Sequence, residues 1–130
     1  MAMNILVFAS LFTSLIGLIL IYIAAINIKP VEIKINQINS DLIGRSVSTE
    51  GKIVEKKLHS EGHMFLIISD DDSEIQVPIF SSLMNDLNKE NITELNFEIN
   101  GTISVIGLID EYRGQLQILS RKTSDIKIGG

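Results

Sequence analysis

Apolar residues fall along this chain in two rhythms. From Ile5 to Ile26 they run almost without interruption as Leu, Ile, Val, Phe and Ala. Roughly 20 such residues, at about 1.5 Å rise each, span a hydrocarbon layer of about 30 Å. A helix is the one single segment that satisfies its own backbone in lipid. Pro30, directly after Lys29, predicts the stop at the water side. Tyr22 lies near that end, a usual level for an interfacial aromatic.

Further on, the period shortens to two. Val31, Ile33 and Ile35 alternate in a leading strand or extended linker, and Asn39-Ser40-Asp41 supplies turn or cap chemistry before Leu42. Val47, Thr49, Gly51 and Ile53 alternate with polar residues, and Val54 breaks the phase, which predicts a bulge or bend near Gly51. Lys56 to Gly62 reads as a polar loop, Met64 to Ser69 as a continuous apolar strand, and Asp70 to Ser73 as a turn. Ile75, Val77 and Ile79 share one face of the next strand. Leu83 and Leu87 then mark a short helix capped by Ser81 or Ser82, with a soft end at Asn88 and Asn91. Strand character returns at Phe97 and Ile99 and continues from Thr102 to Ile109. Asn100-Gly101 is either a hairpin turn or, the preferred reading, a bend into that strand. Glu111 to Gly114 is a tight turn, and Leu116 and Ile118 face inward on a last strand.

This divides the 130 residues into an apolar anchor (1–28), a linker or leading strand (29–40) and a β unit (41–130). Every Lys, Arg, Asp, Glu and His lies from Lys29 onward. A cleaved signal peptide competes with the anchor. It fits less well, because no Lys or Arg precedes the apolar run, the run is long, and Ala24-Ala25-Ile26 is a poor cleavage site. Lys29 and Lys34 flank the anchor, with Glu32 between them. By the positive-inside rule they place the soluble part in the cytoplasm of a single-pass membrane protein. Two Asn-X-Thr triplets, at Asn91 and Asn100, occur by chance in Asn-rich chains. Ala9, Thr13 and Gly17 form a small-residue face for helix self-association, against the plainer reading that small residues are common in membrane helices. With no Cys there is no disulfide, thiol nucleophile or thiolate metal site. The net charge of −5 counts against avid non-specific nucleic-acid binding.

Three strands, a helix and two strands, with bends at glycines, describe a sheet that curls closed. Four segments resemble tRNA-anticodon-type OB domains. The run Gly44 to Ile53 is similar to their opening strand, and Gly62-His63-Met64-Phe65 onward to Asp70 to the second. Glu74 to Phe80 is similar to the third, and Glu111-Tyr112-Arg113-Gly114-Gln115-Leu116-Gln117-Ile118 to the closing hairpin. The resemblance covers about Gly44 to Ser120. It implies a five-stranded OB barrel with one short helix between its third and fourth strands, so that with the N-terminal transmembrane helix read from the apolar run the fold is expected to be mainly β. It also implies a nucleic-acid surface across the second and third strands and the loops beside them. Carried over by position, that surface comprises Lys52, Lys56, Lys57, His59 and His63, then Gln76 and Phe80 on the outward face of the third strand, then Tyr112 and Arg113. Phosphates need Lys or Arg, and bases need an exposed ring or guanidinium plane.

Each candidate has a plainer reading. Phe80 is a stacking platform or, preferred, a residue packed beneath the helix that starts at Ser81. Tyr112 stacks a base or packs over its own turn. Lys56, Lys57, Arg113, Arg121 and Lys122 form a basic patch or are ordinary solvated charges. His59 and His63 lack a third metal ligand, and Asp70 to Glu74 lacks the Gly and distant Glu of a calcium loop. No metal, cofactor or catalytic constellation is expected.

Two functions follow as expectations. One is a membrane-tethered OB module that binds single-stranded nucleic acid or an oligonucleotide, its partners being the bilayer (residues 5–26) and the nucleic acid. The other is a tethered protein-interaction or assembly module, favoured by the acidic balance and scarce aromatics. The plan of one helix and one barrel is also similar to the periplasmic haem chaperone of cytochrome c maturation. That protein's haem-attaching His near a C-terminal Tyr has no counterpart, because no His follows His63.

Overall fold

In a computed structural model, described here for residues 2–26 and 30–129, the two rhythms become one helix and one sheet. Helix α1 spans Ala2–Ile26. Its Met3–Ala24 stretch is long and apolar enough to cross a membrane, and no part of its most apolar window is buried against the rest of the protein. Thr13 Oγ1 donates to Ala9 O at 2.8 Å, which satisfies the hydroxyl inside the helix. Lys29 of the flanking lysine pair lies outside the described residues.

The sheet has seven strands: β1 (Val31–Glu32), β2 (Ser46–Leu58), β3 (Met64–Asp70), β4 (Ser73–Ile79), β5 (Thr102–Tyr112), β6 (Gln115–Leu119) and β7 (Ile126–Ile128). β2 pairs with both β3 and β5, and β4 with β6, so β2-β3-β4-β6-β5 close into a ring. Five strands were expected. The two extra ones, β1 alongside β2 and β7 alongside β5, are only two and three residues long. β1 is what remains of the leading strand read from the Val31, Ile33, Ile35 alternation, and the three-residue β7 carries no readable period.

β2 bends as the broken phase implied. Its register with β3 shifts between Ile53 and Glu55, leaving Val54 as the bulged residue. The bend lets one strand pair with β5 through its first half and β3 through its second. Two glycines make room for the closure. A Cβ on Gly107 would come within 2.5 Å of Leu119 O, and one on Gly51 within 2.9 Å of both Ser69 O and Ile35 Cδ1.

Inside the ring, Val47, Ile53, Met64, Leu66, Ile68, Val77, Ile79, Ile103, Val105, Ile109 and Ile118 are essentially sealed from solvent. Helix α2 (Ser81–Lys89) adds Leu83, Met84 and Leu87 to this core. It ends through Asn91, held at φ 64°. Ile92 N–H donates back to Leu87 O and Asn91 N–H to Asn88 O, a Schellman stop that the soft Asn-rich end anticipated only in part. Elsewhere Ile35, on a 3₁₀ turn at Ile35–Gln37, is buried against Gly51, and its N–H donates to Asp70 Oδ2 at 3.1 Å. The leading strand therefore shrinks to Val31–Glu32 before the chain turns inward.

Three other expectations change. Lys56 and Lys57 are not in a loop, because β2 runs on to Leu58 and pairs Lys56 with Leu66 and Lys57 with Phe65. Phe97 and Ile99 are not strand. A 3₁₀ turn (Glu94–Asn96) buries Phe97 in the core, Ile99 is exposed, and a tight bend at Asn100 (φ 71°) delivers the chain to β5. The position before α2 is taken by Phe80 rather than a serine.

Candidate nucleic-acid interface

The outward face of β2, β3 and β4 can be read row by row from the register. Lys57 lies opposite Phe65, and Phe65 opposite Pro78. The next row is Glu55, Ile67 and Gln76, which continues across the parallel pair to Gln117 and then Asp110. Gln117 Nε2 donates to Asp110 Oδ2 at 3.0 Å. Pro78 has no N–H for a ladder, and the β4–β6 pairing is confined to Gln76 opposite Gln117.

At one end of this face four rings meet. Phe65 and Phe80 stand edge to face, centroids 6.3 Å apart. His59 is edge-on to Phe65 at 5.1 Å, and His63 edge-on to Phe80 at 5.6 Å. The loop carrying both histidines is closed at its base by His59 N–H donating to His63 O. Quadrupolar rings favour these T-shaped contacts. Phe80 is 45% exposed, so the expectation that it packs beneath α2 gives way to a ring standing free in the cluster. His63 also acts on the backbone: its Nδ1 accepts the Ser81 N–H at 3.0 Å, in place of the expected serine cap. Accepting there puts the proton of the neutral ring on Nε2, which faces Glu61 at 3.5 Å.

The remaining candidates scatter. Lys57 extends to Glu55 at 3.4 Å, with its side chain mostly in solvent. Lys56 turns off the face and donates to Glu94 O at 3.2 Å, tying β2 to the connection that follows α2. Gln76 is half-buried mid-face, and Lys52 sits opposite Ser69, close to the β3–β4 turn. Tyr112 and Arg113 occupy the β5–β6 turn, where Arg113 (φ 52°) and Gly114 (φ 77°) take the left-handed conformations of a two-residue hairpin. The Arg113 guanidinium carbon lies 5.2 Å from the Tyr112 ring centre. β6 runs parallel to β4, so this turn is at the β3–β4 turn end of the face, away from the four rings. His59, His63 and Phe80 thus come together, while Lys52, Tyr112 and Arg113 flank the opposite end and Lys56 faces elsewhere. Among the described residues no group of three His, Asp or Glu is placed to hold a metal ion.

Sequence reading missed Phe65. It sits inside the apolar run Met64 to Ile68, where every residue looks internal. Its alternation with the fully buried Met64 and Leu66 was the available signal.

No protein-family model matches the chain. The large subunit of exodeoxyribonuclease 7 from Oceanobacillus iheyensis is 35% identical over 77 residues. That match takes in 59% of this chain but only 17% of that protein's length. Among solved structures, the OBody AM1L10 bound to hen egg-white lysozyme superposes with a TM-score of 0.59 at 16% identity, covering 78% of this chain and 97% of that one. Asparaginyl-tRNA synthetase from Pyrococcus horikoshii gives 0.54 at 14% identity, over 74% of this chain and 22% of that one. In the S. pombe Stn1-Ten1 complex the match is 0.51 at 14% identity, over 64% of this chain and 57% of that one.

Proposed function

With a fold shared with these OB-fold proteins as premise, we propose that the chain is a membrane-anchored OB barrel that binds single-stranded nucleic acid on the outer face of β2, β3 and β4. It binds without catalysing, and α1 tethers it as a single-pass anchor in the cell membrane, with the β unit on the cytoplasmic side. The observation that carries the reading is the outward Phe65–Phe80 pair, Phe80 exposed and Phe65 half-buried, buttressed by His59 and His63. An edge-to-face pair leaves ring surface open to a base, and stacking of one base is worth about 1–3 kcal/mol. The sequence likeness to a DNA exonuclease subunit and the structural likeness to a tRNA synthetase support the same ligand class.

Electrostatics add little to this affinity. Lys57 already has Glu55 beside it, and Glu61 sits next to His63. With one or two lysines meeting phosphates, log Kd changes with log salt by a slope of only about 1, against several for a basic binder. Fluorescence anisotropy of the whole 130-residue chain in nanodiscs with labelled oligo(dT) and oligo(rU) tests the reading. Micromolar binding with a shallow salt slope, lost in the Phe65→Ala/Phe80→Ala variant, is expected. No binding at low salt, or equal binding by that variant, overturns it.

A further inference from the structure

A cleft on another part of the ring sits where the anchor must emerge. It measures about 520 Å³ and is lined by Pro30, Ser46, Ile106, Leu119, Arg121 and Lys122, among others. Pro30 is the first described residue after α1, and β1 next to it is held in parallel register with β2, Val31 opposite Val47. Four Cα steps separate Ile26 from Pro30, so the helix end is no more than about 15 Å from the cleft rim whatever path they take.

The rim is built to present two cations. Asp125, 8% exposed, accepts the backbone N–H groups of Arg121 and Lys122 through one oxygen, at 3.1 and 3.3 Å. The acidic group in the cleft is thereby turned onto the main chain. Ser120 Oγ donates to Ile106 O at 2.7 Å and fastens the same segment to β5. Both cationic side chains are exposed, and among the described residues neither is ion-paired. The nearest acidic residue along the tether is Glu32, opposite Ser48 on β1.

From this placement we infer that Arg121 and Lys122 dock the β unit onto the phosphates of anionic lipid headgroups. The inference rests on the anchoring part of the reading above. Docking fixes which way the ring faces: the cleft turns to the bilayer, and a domain that would otherwise swing on its tether is oriented by the lipid. Each basic residue at an anionic surface changes occupancy about fivefold, so the pair accounts for about 25-fold between docked and undocked forms.

The chain has no cysteine, so Ser124→Cys on the cleft rim takes a single fluorophore. Quenching by headgroup-spin-labelled lipid is then compared in phosphatidylcholine membranes with and without 30% phosphatidylglycerol. Quenching is expected on the anionic membranes alone, suppressed by 0.5 M NaCl and by Arg121→Gln/Lys122→Gln. Equal quenching on both membranes, or no response to the double substitution, overturns the docking. Flotation after an alkaline wash separates the two ideas. Protein that floats yet shows no lipid-dependent quenching defeats the docking and leaves the anchor standing, whereas protein that stays behind defeats both.

Discussion

The two faces of β3 follow one alternation but obey different rules. Inward, Met64, Leu66 and Ile68 are 0% exposed. Outward, Phe65, Ile67 and Ser69 are half-covered. Inner residues are chosen for volume, since the ring has no space to spare. Outer ones are constrained mainly by what lies on the neighbouring strands, and there the protein has placed rings at one end and amides and carboxylates mid-face. The lesson is that stability and recognition are interleaved residue by residue, so neighbouring substitutions should report on different properties.

The largest effect expected is from the inside. Leu66→Ala removes a sealed side chain that the closed ring cannot collapse around. It should cost about 2–5 kcal/mol in urea unfolding and lower ligand binding only as far as it unfolds the protein. Gly107→Ala should cost about 1–3 kcal/mol, because its Cβ would meet the Leu119 backbone and the Cγ2 methyl of the sealed Ile118. Next door to Leu66, Phe65→Ala should weaken oligonucleotide binding about tenfold by anisotropy, with an unfolding midpoint much closer to wild type than that of Leu66→Ala. If Phe65→Ala proves as destabilising as Leu66→Ala, the division between faces fails. The smallest change should have the opposite sign. Thr49 is 3% exposed, and its hydroxyl has no hydrogen-bond partner among the described residues. Thr49→Val should therefore stabilise by up to about 1 kcal/mol in the same urea series, without touching binding.

What could be read in advance tracks this division. Alternation along β2, β4 and β5 was legible because burial itself has a period of two, and the Val54 bulge was legible as a break in that period. Phe65 was hidden because an apolar run on a half-exposed face resembles one buried on both sides. Phe97 was misread as strand because a buried aromatic looks alike whether the sheet or a 3₁₀ turn delivers it. The lysines read by polarity as loop, yet β2 continues through them in register with β3. Of the candidate site, residue types were visible but not their gathering. Only the cross-strand register separates Lys57, beside the rings, from Lys56, bound to a carbonyl.

Ile35 carries one more consequence. It fills the space left by Gly51, and it belongs to the same stretch of chain that leads back toward α1. Traction on the tether therefore reaches the interior. Were α1 held in a bilayer, load on it would enter at the short parallel seam between β1 and β2, act on those hydrogen bonds in shear, and reach the stopper once that seam parted.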